Sequence, residues 1–80
     1  MSYFVYMILC ADGSFYTGST DDINKRFAKH LAGIGASYTR SHKPIKVVYQ
    51  EELQDKSSAL RREAVLKKLT HTQKSEFSLI

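Results

Sequence analysis

Cysteine is almost absent: Cys10 stands alone among 80 residues, so no internal disulfide can close and no multi-cysteine zinc site can be built. A reducing, cytoplasmic setting is the simpler reading. No linker, repeat or low-complexity tract interrupts the chain. The first ten residues, Met1-Ser2-Tyr3-Phe4-Val5-Tyr6-Met7-Ile8-Leu9-Cys10, lack both the basic start of a secretory signal and the length of a membrane span, so no membrane insertion is expected. The length also leaves no room for a second core. Residues 1–80 are read as one domain, burying about 60 to 65% of its unfolded surface.

Charge is present in unequal measure. Twelve Lys and Arg against eight Asp and Glu give a formal net charge of +4, which on so small a surface favours polyanions, with nucleic acid the expected partner and ordinary solubility charge the alternative.

Tyr3 to Cys10 is apolar on both alternating faces, as expected of a strand covered on each side, and is placed at the centre of a sheet. Asp12-Gly13 is a strong hairpin signal with Phe15 to Ser19 as the return strand. Two registers are open. A two-residue loop sets Cys10 against Phe15 and sends Tyr6 and Tyr16 to opposite faces. A three-residue loop, Ala11-Asp12-Gly13 with Gly13 left-handed, sets Cys10 against Ser14, Ile8 against Tyr16 and Tyr6 against Gly18, so that both phenols share a face. The second register is favoured, with Gly18 leaving space for Tyr6 or for a phosphate.

Thr20-Asp21-Asp22 offers N-caps for a helix running to about Gly33, with Ile23, Phe27 and Leu31 as its apolar stripe, Arg26 and His30 flanking it, and Lys25 and Lys29 toward solvent. Ala32 to Lys43 reads as a polar loop able to contact a ligand, closed by Pro44. Lys46 to Glu51 suits a third strand at a sheet edge. A second helix is expected from about Ser57 to Leu69, capped near Asp55 or Ser57, with Leu60, Ala64, Leu66 and Leu69 as its apolar contacts. Glu63 falls on that arc, between Leu66 and Leu60, at about 100° per residue. Thr72 with Glu76 suggests a short terminal helix that holds Phe77 and Leu79 against the rest. The fold class is therefore α/β (α+β): a small, mainly antiparallel three-stranded sheet with flanking helices in the order β-β-α-β-α-α.

Several side chains here carry chemistry. Two phenols on one face can hydrogen-bond or deprotonate water at a phosphodiester, or simply be strand aromatics. Arg26 suits bidentate phosphate binding, or is a solvated helix residue. His30 is a partner for a tyrosine or phosphate, or closes the core edge. Glu63, a carboxylate on an inward face, needs a cation, and Lys67 four residues on is the plain answer.

Phe4-Val5-Tyr6, then Tyr16-Thr17-Gly18, then Arg26, His30 and Glu63, resemble the GIY-YIG nuclease superfamily. The match is closest to its small stand-alone bacterial members, with their Cys-Ala-Asp-Gly-Ser hairpin and the Gly-Ala-Ser-Tyr-Thr-Arg stretch found at Gly35 to Arg40. The resemblance implies a GIY-YIG endonuclease fold and a metal-dependent endonuclease acting on nucleic acid, DNA by preference, in repair or processing. It implies Tyr6, Tyr16, Arg26, His30 and Glu63 as catalytic residues: the tyrosines at the cleavage centre with Tyr6 as base, Arg26 on the scissile phosphate, and Glu63 holding one Mg²⁺ or Mn²⁺. Gly18, Lys25, Lys29, Tyr38, Arg40 and Lys43 are the candidate nucleic-acid contacts. Two positions depart from the pattern: the Asn that many members carry after the Glu is missing, Asn24 being the only one, and Ser19 stands where some members have Lys. These departures motivate a second reading, a nucleic-acid-binding module that keeps the fold without useful turnover and acts beside a protein partner.

Overall fold

The Asp12-Gly13 turn joins strand β1, Tyr3–Cys10, to strand β2, Phe15–Thr20, in the computed structural model, which describes residues 2–78. Gly13 takes φ +85°, a conformation that costs a side chain energy but not glycine. Its N–H donates to the Cys10 carbonyl at 2.9 Å, and the Cys10 N–H donates to the Ser14 carbonyl at 2.9 Å. The Asp12 carboxylate accepts from the Ser14 N–H at 3.0 Å and from its hydroxyl at 2.6 Å, pinning the turn and holding Asp12 below its ordinary pKa. The loop has three residues, and the register is the favoured one: Tyr6 opposite Gly18 and Ile8 opposite Tyr16.

Strand β3, Pro44–Leu53, extends past both ends of the expected Lys46–Glu51 and pairs antiparallel with β1, giving the order β2-β1-β3 with β1 central. Its register shifts opposite Met7/Ile8 and Leu9/Cys10, where single extra residues bend the strand.

Helix α1, Ile23–Leu31, starts where Asp22 Oδ1 accepts from the Lys25 N–H at 3.0 Å. It ends in a Schellman turn: Gly33, at φ +79°, donates to His30 O at 3.1 Å and Ile34 donates to Lys29 O at 3.0 Å. The expected element order holds, with one addition. The polar loop contains a short helix, α2, Ser37–Ser41. Helix α3, Lys56–Lys67, is capped by Asp55, which accepts from the Ser58 N–H at 2.7 Å. Helix α4, His71–Ser78, is started by Thr70 and Gln73 rather than Thr72 and Glu76: Thr70 Oγ1 accepts from the Gln73 N–H at 3.2 Å and Gln73 Oε1 from the Thr70 N–H at 2.9 Å, a reciprocal capping box. Leu79 lies outside the described residues.

The helices cover both sides of the sheet. On one face Tyr6, Ile8 and Cys10 meet Tyr16, Ile23, Phe27, Tyr38 and Val47; on the other Val5, Ala59 and Leu66 meet Tyr3, Tyr49, Leu53, Leu69 and Phe77. Three expected apolar contacts are corrected. Leu31 is exposed, because His30 takes the inward position at the end of α1, and the inward face of α3 runs through Ala59, Glu63 and Leu66, which leaves Leu60 and Ala64 exposed.

In chemical denaturation, Leu66→Ala should lose about 2–5 kcal/mol through the cavity it opens under the sheet. Leu60→Ala should change stability by less than about 0.5 kcal/mol.

Candidate active site

Antiparallel pairing of Tyr6 with Gly18 places a phenol over a residue without a side chain. A Cβ built on Gly18 would lie 2.6 Å from Tyr6 Oη and 3.0 Å from the Tyr16 ring, so the space above Gly18 belongs to Tyr6. Tyr6 and Tyr16 share this face with ring centroids 6.4 Å apart, and His30 stands 5.9 Å from the first and 5.0 Å from the second.

His30 is fully buried and bonded on both nitrogens: Nε2 lies 2.9 Å from Tyr6 Oη and Nδ1 lies 2.6 Å from Thr39 Oγ1. Thr39 Oγ1 in turn donates to the Ala36 carbonyl at 3.2 Å. The Schellman turn makes this possible by reversing the chain after α1, so that residues 35–39 come back over His30. Gly35 lies against the imidazole, where a Cβ would sit 2.6 Å from Nδ1. The Gly35 carbonyl accepts from Arg26 Nη2 at 2.8 Å, which steers the half-buried guanidinium toward the Tyr6 hydroxyl.

Burial sets the charge states. It pushes Tyr6 up to about 12, against a hydrogen bond from Arg26 that lowers it, while Tyr16 and Glu63 raise it further. Burial, reinforced by Arg26, pulls His30 down to about 4. Near neutrality both groups are uncharged, and Arg26 brings the positive charge.

Glu63 comes from the other layer. Ser19 alternates with Gly18 and points to the α3 face, where its hydroxyl donates to Glu63 Oε1 at 2.7 Å. Lys67 Nζ lies 2.7 Å from Oε2, and this bond raises the lysine's pKa. The carboxylate is thus not turned out to bulk solvent: its side chain is 15% exposed, and its charge is felt at Tyr6 across β2. Among the described residues no three His, Cys, Asp or Glu side chains gather to hold a metal. A single carboxylate that already binds an ammonium on one oxygen fits a hard divalent ion that keeps most of its water, once Lys67 yields that oxygen.

The structure therefore brings Tyr6, Tyr16, Arg26 and His30 together on one face, and Glu63 reaches the edge strand β2 from the α3 side through Ser19, near enough that its charge is felt at Tyr6 and that Lys67 beside it feels Tyr16. Lys25, Lys29, Arg40 and Lys43 are exposed. Gly18 is buried beneath Tyr6, so a phosphate has no room there. Tyr38 is stacked on His42 at 4.0 Å and 4°, and more loosely on Tyr16 at 5.9 Å, so its stacking surface is engaged within the chain instead of awaiting a base. Gly35, Thr39, Ser19 and Lys67 serve the site without having been singled out as site residues. For Gly35 and Thr39 the available signal was the Gly-Ala-Ser-Tyr-Thr-Arg stretch, read as ligand-facing when it faces His30.

Between about pH 6.5 and 4 the unfolded chain takes up a proton that folded His30 does not, so its contribution to stability is present above that window and falls as pH drops through it. The stability advantage of wild type over His30→Gln should shrink by about 1–3 kcal/mol across that range in urea titrations. Gly18→Ala should cost about 1–3 kcal/mol at neutral pH, since the new methyl group displaces the Tyr6 phenol.

A family model described as the GIY-YIG catalytic domain matches residues 2–76. A UPF0213 protein of Cupriavidus necator is 47% identical over 76 residues, 95% of this chain and 83% of that protein. A UPF0213 protein of Staphylococcus aureus is 47% identical over 79 residues, 99% of this chain and 94% of that one. Among solved structures, the solution NMR structure of a UPF0213 protein from Bacillus halodurans matches with TM-score 0.58 and 39% identity, covering 95% of this chain and 81% of its own. A solution NMR structure of a protein from E. faecalis matches with TM-score 0.63 and 39% identity, covering 96% and 82%. With the family's pattern spanning nearly every residue and the same fold in relatives this similar, the chain belongs to the GIY-YIG nuclease family.

Proposed function

We propose that this protein is a metal-dependent endonuclease that hydrolyses phosphodiester bonds, with DNA as substrate, in repair or processing. The observation that carries the reading is the hairpin register, which sets two phenols on one face beside a guanidinium already anchored by a backbone carbonyl. Among the described residues no helix is long and apolar enough to cross a membrane.

In this reading one water attacks phosphorus in line with the leaving oxygen. Arg26 keeps one N–H on Gly35 and one on Tyr6 Oη and offers the donors left to the phosphate, where negative charge grows as the bond to water forms. Tyr6 and Tyr16 hold the attacking water and a phosphate oxygen. Tyr6, pushed up to about 12, keeps its proton at neutral pH and accepts a hydrogen bond from the water. As the new P–O bond forms and the bond to the leaving oxygen breaks, the water's proton passes to Tyr6 Oη while the phenol hydrogen moves to His30 Nε2, 2.9 Å away, and the leaving oxygen takes a proton from solvent. Glu63 would hold the Mg²⁺ or Mn²⁺ ion, with Ser19 fixing one carboxylate oxygen. Such an ion, when bound, supplies charge that offsets the negative charge on the leaving oxygen. Exposed Lys25, Lys29, Arg40 and Lys43 track the nucleic-acid backbone, a sequence-independent interaction weakened by salt.

A second reading has one specific observation in its favour. Lys67 occupies Glu63 Oε2 at 2.7 Å, as in a module that binds nucleic acid without cutting it. The two separate when labelled single-stranded, duplex, flapped and branched DNA are incubated with Mg²⁺ or Mn²⁺. The nuclease reading expects metal-dependent cuts that vanish in Glu63→Ala and fall by about 10²–10³-fold in Arg26→Ala. Salt-sensitive binding without cutting by wild type would instead assign the module. Lys67→Met should bind Mn²⁺ about two- to tenfold more tightly in a direct metal titration, because the ion no longer competes with an ammonium.

A further inference from the structure

The path of hydrogen bonds behind Tyr6 has only one fully satisfied direction. When Thr39 gives its single hydroxyl hydrogen to the Ala36 carbonyl at 3.2 Å, which also accepts from the Arg40 N–H at 3.1 Å, its oxygen can only accept from His30. Nδ1, 2.6 Å away, must then be the protonated nitrogen of the neutral imidazole, and Nε2 is left as a bare lone pair. The Tyr6 hydroxyl, 2.9 Å from Nε2, therefore donates its hydrogen inward. The opposite direction would turn the Thr39 hydrogen from Ala36 to Nδ1 and leave the Tyr6 hydrogen without this acceptor. Tyr6, Thr39 and His30 are 1%, 1% and 0% exposed, so no solvent competes for these bonds and a water reaches Tyr6 Oη only together with the substrate. Gly35 presses against the ring where any side chain would collide with Nδ1, which fixes the plane of the imidazole.

We infer that Thr39 is a positioning residue: by accepting from His30 Nδ1–H it holds the imidazole in the Nδ1–H tautomer, draws the Tyr6 hydrogen away from the substrate, and presents only the lone pairs of Tyr6 Oη to the attacking water. The inference rests on the nuclease reading for its consequence in catalysis but not for its structural content. A phenol free to rotate would offer the water its hydrogen as often as its lone pairs. One whose hydrogen is committed inward is a permanent acceptor, and Arg26 beside it opposes any reversal. Thr39 touches neither water nor phosphate and acts only through His30.

Long-range ¹H–¹⁵N spectra of the histidine rings test this without reference to cleavage. Wild type should show His30 as the Nδ1–H tautomer at neutral pH. In Thr39→Val the acceptor is gone, and the ring should shift toward Nε2–H, donating to Tyr6 Oη. Thr39→Ser should restore the wild-type pattern. Cleavage, measured on the same samples, should fall about ten- to a hundredfold in Thr39→Val and recover in Thr39→Ser. An Nε2–H signal in wild type would overturn the inference whatever the variants do, as would an unchanged Nδ1–H signal in a folded Thr39→Val. Should Thr39→Val fail to fold, the wild-type spectrum and Thr39→Ser still decide. Should wild type cut nothing, the nuclease reading falls while the tautomer measurement stands on its own.

Discussion

Everything in the candidate site is placed by the pairing of Tyr6 with Gly18. Because side chains alternate along a strand, a slip of one residue would send Tyr16 to the far face and put a side chain where the Tyr6 phenol now lies. Register is fixed at the turn: Gly13 supplies the left-handed residue that a three-residue loop requires, and Asp12 ties the turn through Ser14. His30 needs Tyr6 in that place for its Nε2, and the chain from Gly35 to Thr39 needs His30.

The same packing sets the electrostatics. Tyr6 and His30 are both ionisable, yet burial drives each toward its neutral form, upward for the phenol and downward for the imidazole. Two neutral partners avoid the cost of a buried charge and satisfy each other by hydrogen bonding. Charge is kept at the margins: Arg26 is half-buried and tied to a carbonyl, and Glu63 is shielded by Ser19 and Lys67 on the opposite layer. Tyr6, Tyr16, Arg26 and His30 accordingly lie on the α1 face, and Glu63 comes to the β2 edge from the α3 face. β2, the edge strand between them, supplies Tyr16 and Gly18 to one and Ser19 to the other.

Local signals in the sequence were reliable where local chemistry makes the structure. Asp-Gly turns, Asp caps and a glycine after a helix act within a few residues, and β1, β2, α1 and α3 begin and end close to where those signals stand. Legibility failed where apolar residues are spread around a helix. In α3, Leu60, Ala64, Val65 and Leu66 do not mark one side, and the inward face is chosen by fit against the sheet, where Ala59 is small enough for close approach and Leu66 fills the core. Glu63 nevertheless faces inward as expected, on an arc bounded by Ala59 and Leu66 rather than by Leu60 and Leu66. The Gly35–Arg40 stretch misled for a related reason: glycine, serine and threonine are common in exposed loops, and nothing local says that Thr39 will be buried on a histidine.

The order of the main elements and the favoured one of two hairpin registers were legible in the sequence itself, because turn geometry, strand alternation and helical period are properties of neighbouring residues. Tertiary structure alone decided that His30 belongs to the core and Leu31 to solvent, that α2 folds back to put Thr39 on His30 Nδ1, and that Glu63 approaches from behind the sheet with Lys67 on its free oxygen. Those outcomes depend on which surfaces meet after the helices dock, and the hydrogen bonds concerned join residues that acquire a partner only when buried together.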